Sequence, residues 1–419
     1  MLVFLAWLTL AITPPAAPDT LVVCPAEFRA ALEPWEAFRV AQGHEIAVID
    51  VPTSAAELRS AIRAIAALGK LKYVVLIGDV PTGRESSARR LTVPTNYLKA
   101  TVNTRWGSQP HIASDLPYAD VDGDHVPDLA VGRIPADSPA ELSSVVRKIL
   151  RYEQQADASD DTAWRRRLHV VAGIGGFGLV ADSLIEAAGT QVFRETVPAD
   201  FDVQPTMANP ASPTCPPPGQ FTPRVCQQLN NGCLAWIYLG HGRPTELDRV
   251  HTPRGAEPIL SVNDVGQLTC GAHSPLAVMV ACYTGALDAS TDCLGEELVL
   301  AERGPIAVIA ATRVTMPYGN TVLGCELLRA CFGERQPALG DMLRLAQRRT
   351  LEKPADDDAL RISIDSLAES VSPGPLDLAA ERREHVWMYH LLGDPLTKLR
   401  LPAETVAGNA SPSGVTIAR

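Results

Sequence analysis

Two short glycine-flanked stretches carry the residues best suited to covalent chemistry. His241 lies in Gly240-His241-Gly242, directly after the apolar run CLAWIYL at 233–239. Cys282 lies in Ala281-Cys282-Tyr283-Thr284-Gly285, at the end of PLAVMVA at 275–281. A thiol near its free pKa is mostly protonated at neutral pH, so it needs an imidazole to take its proton or to stabilise the thiolate. If the two runs are neighbouring strands, their carboxyl ends place thiol and imidazole in one crevice, where open α/β sheets bind ligands. The glycines beside His241 let backbone approach closely, and the amides of Gly242 and Cys282 could form an oxyanion hole for acyl transfer. Taken singly, a His or a Cys is usually a packing residue. The coincidence of two such strand ends is what points to a Cys–His enzyme.

Three further features compete for chemistry. Asp120, Asp122, Asp124 and Asp128 form D-x-D-G-D-x-x-x-D. Carboxylates this close repel one another unless a cation joins them, and oxygen ligands favour calcium. The bidentate Glu that closes an EF-hand is missing, and the plain alternative is a solvated turn whose Asp residues cap backbone amides. Such a calcium would be structural; no cofactor is expected for catalysis. The stretch GIGGFG at 173–178 satisfies GxGxxG after a strand, with Glu195 about twenty residues on, which is the dinucleotide fingerprint. A lone match of this kind is weak, and it reads better as a glycine-rich loop bordering a cleft. The nine cysteines (Cys24, Cys215, Cys226, Cys233, Cys270, Cys282, Cys293, Cys325 and Cys331) include no CxxC pair and no zinc-finger spacing. In an oxidising compartment their odd number leaves one thiol over.

The elements that must position these residues alternate between strand and helix. LVV at 21–23, EIAVIDV at 45–51 and KYVVLIGD at 72–79 read as strands. Ser54 and Glu57 have capping-box spacing, and Leu58, Ile62 and Ile65 give the following helix an apolar face. Ser138-Pro139-x-Glu141 opens the next helix. LHVVA at 168–172, the two runs that lead to His241 and Cys282, and PIAVIAA at 305–311 are too apolar for edge strands. Continuous apolar strands between amphipathic helices imply an α/β fold with a parallel sheet covered on both faces.

The organisation expected is a signal peptide at 1–18, a smaller N-terminal α/β subdomain at 19–136, a larger α/β domain at 137–402 and a disordered tail at 403–419. The leader has an apolar run too short to span a bilayer, followed by small residues Ala16 and Ala17, though it lacks a basic start. The proline-rich stretch at 209–223 reads as a long loop. Lys plus Arg number 37 against 48 Asp plus Glu, a formal charge of −11, and no basic run stands out. Nucleic acid and anionic membrane are therefore not expected partners, and no stable membrane span is expected.

The pattern YLGHG at 238–242 followed by VACYTGALD at 280–288 resembles the gingipain family of cysteine peptidases, which share the caspase-like fold. The resemblance also covers LPYADVDGDHVPDLAVGRIP at 116–135, SPAELSSVVRKILRYEQ at 138–154, AVIAATRV at 307–314 and LLGDPLTKLRLP at 391–402. It implies that His241 and Cys282 are the catalytic pair, that residues 20–136 hold no catalytic centre, and that the substrate is a protein or peptide; the leader makes a secreted, periplasmic or cell-surface location the expected one. In the family a Glu in Ala-Glu-Gly-Gly orients the catalytic His; here the stretch is Gly173-Ile174-Gly175-Gly176, so Ile174 takes its place and a dyad is implied. The family's arginine-specific members use an acid in the primary pocket, and Asp182 lies in that neighbourhood. Thr312 and Arg313 could also border the pocket, and Arg313 would favour an acidic residue instead. The reaction expected is peptide-bond hydrolysis through a Cys282 thioester. A sortase-like transpeptidase shares that intermediate, and a catalytically weak binding or adhesion module on the same fold is the reading from a different class.

Overall fold

The computed structural model describes residues 17–81, 91–154, 162–176, 178–253, 255–371 and 377–403. The expected leader and tail fall almost wholly outside the described residues. In chain order the strands are β1 (Thr20–Val23), β2 (Ile46–Ile49), β3 (Tyr73–Ile77), β4 (Asn96–Lys99), β5 (His111–Ser114), β6 (Ala130–Ile134), β7 (Arg167–Ala172) and β8 (Asp202–Met207). There follow β9 (Ala235–Leu239), the small hairpins β10 (Gly242–Arg243) with β11 (Glu246–Leu247) and β12 (Arg249–Thr252) with β13 (Gly255–Pro258), then β14 (Leu276–Val280), β15 (Ala307–Ala311) and β16 (Tyr389–Leu392).

Ten of these form one sheet in the order β2-β1-β3-β6-β16-β15-β14-β9-β7-β8. Every contact is parallel except β15 with β16, so the sheet is two parallel blocks of opposite sense that meet there. The fold class is the expected one: a caspase-like, mostly parallel sheet with helices on both faces. The apolar runs that led to this expectation are β1, β2, β3, β7, β9, β14 and β15, and β7, β9, β14 and β15 are all interior. β8, with Pro205 in its middle, lies at the edge, where proline's missing N–H is tolerated.

Alternation along the strands fills two cores in each block. In the larger block Ile237, Val278 and Ile309 pack with Val322, Leu343 and Met388 from the helices Pro317–Leu328, Leu339–Leu351 and Leu378–Met388. Trp236, Tyr238, Met279 and Val308 point the other way, toward Val225 and Leu298 of Phe221–Asn231 and Leu294–Leu300. In the smaller block Val22 and Val75 meet Leu32 and Val145 on one face, while Val23 and Leu76 meet Leu58 and Ile62 on the other. The anticipated helix starts are present with a shared variation. Ser54 and Ser138 accept from the amides of Glu57 and Glu141, but each Glu reaches back to the residue before the serine, Thr53 and Asp137.

Buried charges fasten the helices and loops of the smaller block to its strands. Asp394, just after β16, accepts from Trp35 Nε1 at 2.6 Å and from Arg39 at 2.5 Å, and Arg39 also holds Glu153 with two bonds. Arg133 on β6 grips Asp115 through Nε and Nη2 at 2.8 and 2.9 Å and donates to the carbonyls of Gly78 and Val93. Burial alone would raise the Asp115 pKa, but the Arg133 charge holds it below the usual carboxylate value.

His169 on β7 is buried, and neither ring nitrogen has a hydrogen-bond partner among the described residues. Burial pushes its pKa down to about 4. The unfolded chain therefore binds a proton that the folded one refuses between the ordinary histidine pKa and about 4. Stability from this group is present above that window and is lost as pH falls through it. Thermal melts of the wild type should drop more steeply between about pH 6.5 and pH 4 than those of His169→Leu, by at most about 1.4 kcal/mol per pH unit. Parallel melting curves for the two proteins would contradict this placement of His169.

Candidate active site

The parallel strands β7, β9, β14 and β15 end at one edge of the sheet, and each delivers part of a cleft. β9 and β14 are neighbours with Leu239 opposite Val280, and β7 flanks β9 with Ala172 opposite Leu239. His241 and Cys282 thus follow adjacent strand ends, as the sequence suggested. Contacts between the two loops are direct. Gly240 donates to Val280 O at 3.3 Å, and a Cβ on Gly242 would come within 2.6 Å of Cys282 O. Arg243 and Glu246 flank the turn of the β10–β11 hairpin and must be its hydrogen-bonded pair. Alternation then turns the Gly242 N–H away from Leu247.

The His241 imidazole is exposed, with Nε2 against the loop that follows β7; a Cβ on Gly176 would lie 2.8 Å from it. The acid missing at Ile174 has a counterpart from elsewhere. Asp248 Oδ2, reached after the β10–β11 hairpin, accepts from the amide of Ile174 at 3.0 Å and from the amide of His241 at 3.1 Å. Tyr238 OH lies 3.0 Å from the same oxygen and 2.8 Å from His241 O. Burial, and then the Asp248 charge, push the Tyr238 pKa well up, so the phenol stays a donor. One carboxylate therefore ties the histidine loop to the glycine loop through main-chain atoms. This clamp explains a glycine that had suggested dinucleotide binding: a Cβ on Gly173 would sit 2.1 Å from Asp248 Oδ2.

The Cys282 loop folds over the end of β15. Tyr283 and Gly285 donate to Arg313 O and Ala311 O at 3.1 and 2.9 Å, and Tyr283 OH donates to Gln109 at 2.7 Å. Tyr283 adopts φ 59, a left-handed conformation disfavoured for a bulky residue, directly after the thiol. The half-buried Cys282 Sγ accepts from Thr315 N at 3.3 Å and lies 3.7 Å from Thr315 Oγ1. Burial drives the Cys24, Cys325 and Cys331 thiols up to about 12 and pushes that of Cys233 well up too.

The pocket candidates separate. Thr312 and Arg313 are buried, and their polar groups are committed: Thr312 donates to Ala113 O, while Arg313 holds Asp288 with two bonds and donates to His111 O. The acidic preference expected of Arg313 therefore has no open guanidinium behind it. Asp182 is half-buried beside the glycine loop, where Oδ1 accepts from Gly176 N at 3.2 Å.

Among the described residues, two acidic groups could hold a cation. The carboxylates of Asp120, Asp122 and Asp124 come within 4.8 Å of one another, although Arg59 already pairs with Asp120. Asp128 stands apart from this group, accepting from Val121 N and lying 3.6 Å from Arg348. The second group, Asp79, Asp137 and Asp292, escaped the sequence reading because its members are far apart in the chain. Beside it is buried Glu296; burial pushes Asp79 up to about 6, and burial and then the Asp79 charge push Glu296 well above its ordinary value.

The model of peptidase family C25 matches residues 13–400. Among curated proteins, Lys-gingipain of Porphyromonas gingivalis is 25% identical over 305 residues, covering 70% of this chain and 15% of the relative. Gingipain R2 of the same organism is 25% identical over 234 residues, covering 54% of this chain and 29% of the relative. The chain thus spans less than a third of the length of either. The crystal structure of the Arg-specific cysteine proteinase gingipain R superposes with a TM-score of 0.67 at 16% identity, over 93% of this chain and 80% of that one. The complex of gingipain pro- and mature domains from P. gingivalis gives 0.65 at 17% identity, over 91% of this chain and 80% of that one. With the family model running over nearly its whole length, the chain belongs to peptidase family C25.

Proposed function

We propose that this protein is a cysteine peptidase that cleaves peptide bonds through a Cys282 thioester, with His241 as acid and base. The observation that carries this reading is the pairing of β9 with β14, which sets Gly240-His241-Gly242 against the carbonyl of Cys282. In the reaction His241 takes the thiol proton, the sulfur attacks the scissile carbonyl, and the amides of Cys282 and Gly242 receive the oxyanion. The imidazolium then gives its proton to the leaving amine, and water hydrolyses the thioester with His241 as base. Asp248 acts by holding the main chain of His241. No helix among the described residues is long and apolar enough to cross a membrane, and a secreted or cell-surface location fits the kinship with the gingipains.

Cleavage of a peptide library should be abolished by Cys282→Ala and by His241→Ala, with iodoacetamide labelling of one fast-reacting thiol lost in Cys282→Ala. Cleavage that survives Cys282→Ala would overturn the assignment. If Asp182 shapes the primary pocket, the library should show a basic residue before the scissile bond, and Asp182→Ala should erase that preference with its effect mainly on KM.

Asp248→Ala leaves the amides of Ile174 and His241 without their acceptor and should cost about 1–3 kcal/mol of stability. It should also lower kcat about tenfold or more, since catalysis is sensitive to small misplacement of the imidazole. An unchanged kcat would remove Asp248 from any positioning role. A structural calcium at Asp120, Asp122 and Asp124 requires that chelation lower the melting temperature of the wild type and not that of Asp122→Asn/Asp124→Asn. Equal melting with and without chelator would dismiss it.

A further inference from the structure

We infer that Thr315, set by Asn320 and Tyr389, is the positioning group that holds the Cys282 sulfur as a thiolate, an inference that rests on Cys282 being the nucleophile. Thr315 meets the sulfur three times: its amide at 3.3 Å and its hydroxyl at 3.7 Å can donate to it, while its carbonyl at 3.7 Å accepts from the neutral thiol. These are ordinary lengths for contacts to sulfur, which is larger than oxygen. The hydroxyl has one proton to give, and its surroundings decide where that proton goes. Asn320 Nδ2 donates to Thr315 Oγ1 at 2.9 Å, so a lone pair of that oxygen is occupied. Asn320 is turned this way because Tyr389 OH donates to its Oδ1 at 2.8 Å. Burial pushes the Tyr389 pKa up, so the phenol remains protonated and keeps donating. The chain Tyr389–Asn320–Thr315 therefore leaves the threonine proton free to turn to Cys282 Sγ, which once ionised is a stronger acceptor than the Tyr389 oxygen also in reach.

The consequence is electrostatic. Hydrogen bonds to the charged form of a group favour that form, and they are strongest where one partner is ionised. A Cys–His pair whose histidine lacks the acid expected at position 174 gains from donors that act on the sulfur itself. Thr315 and Tyr389 are buried, so these donors work away from bulk water. Thr315 follows β15 and Tyr389 opens β16, so the thiol is armed from the strand pair opposite the histidine.

The test is the pH profile of iodoacetamide alkylation at Cys282, run from about pH 5 to about pH 9. Thr315→Val keeps the branched shape and the amide but removes the hydroxyl, and should move the thiol midpoint up by about one pH unit. Thr315→Ser should restore it. Asn320→Ala and Tyr389→Phe should each give a smaller upward shift, and they carry the test if Thr315→Val fails to fold. A residue that only packs would change the melting temperature and leave the midpoint alone. Midpoints in Thr315→Val, or in both other variants, that match the wild type would overturn the inference. If instead wild-type Cys282 shows no enhanced reactivity, the assignment of the nucleophile has failed, a result recognisable from the wild type alone.

Discussion

The buried pair of Arg133 and Asp115 is the joint on which the cleft depends. Arg133 lies on β6, the strand beside β16, and its guanidinium binds Asp115 and the carbonyls of Gly78 and Val93. Asp115 directly follows β5, so the pair locks the β4–β5 hairpin onto the smaller block. That hairpin reaches across to the larger block: Ala113 O and His111 O accept from Thr312 and Arg313, and nearby Gln109 accepts from Tyr283. The segment that carries Cys282 is thus propped by residues whose own position is set by a charge pair on β6. Burying two charges is costly unless every remaining donor is satisfied, and Arg133 meets that condition by also capping two main-chain carbonyls. The smaller block thus shapes the cleft through the β4–β5 hairpin.

The clamp on the histidine side works on the same principle, with charge acting on main chain. Asp248 holds two loops through their amides, and Tyr238 adds its hydroxyl from inside β9. An acid acting on the histidine ring could have been sought at a fixed offset in the sequence. An acid acting on backbone amides can come from any segment that passes close by, and here it comes from the return of a small hairpin.

This difference explains what could be read in advance. The strands that flank the site were legible because their runs are apolar on both faces, as buried parallel strands must be. The positions of His241 and Cys282 were legible because reactive residues stand out at the ends of such runs. Thr315, Asn320 and Tyr389 were not, because each is unremarkable in type and they are brought together only by the pairing of β15 with β16. β16 itself was hidden: YHLL is short, carries a histidine, and lies in the middle of the sheet although it comes from near the end of the chain. Arg313 looked like a recognition residue because it follows the apolar run that ends beside the cleft; its commitment to Asp288 needed a partner from the neighbouring loop.

The late place of β16 in the chain also orders events during synthesis. Chains leave the ribosome from the N-terminus, and domains fold as their parts emerge. The two blocks of the sheet have all their other strands by residue 311, but until residues 389–392 appear, β6 and β15 face each other across a gap. Such unpaired apolar edges invite pairing with other chains, so the incomplete fold is at its most vulnerable just before β16 emerges. The strand that closes the gap also brings Tyr389 up behind the cysteine. A nascent chain therefore completes the surroundings of its thiol at the same moment that it completes its sheet, and no unfinished copy carries the finished cleft.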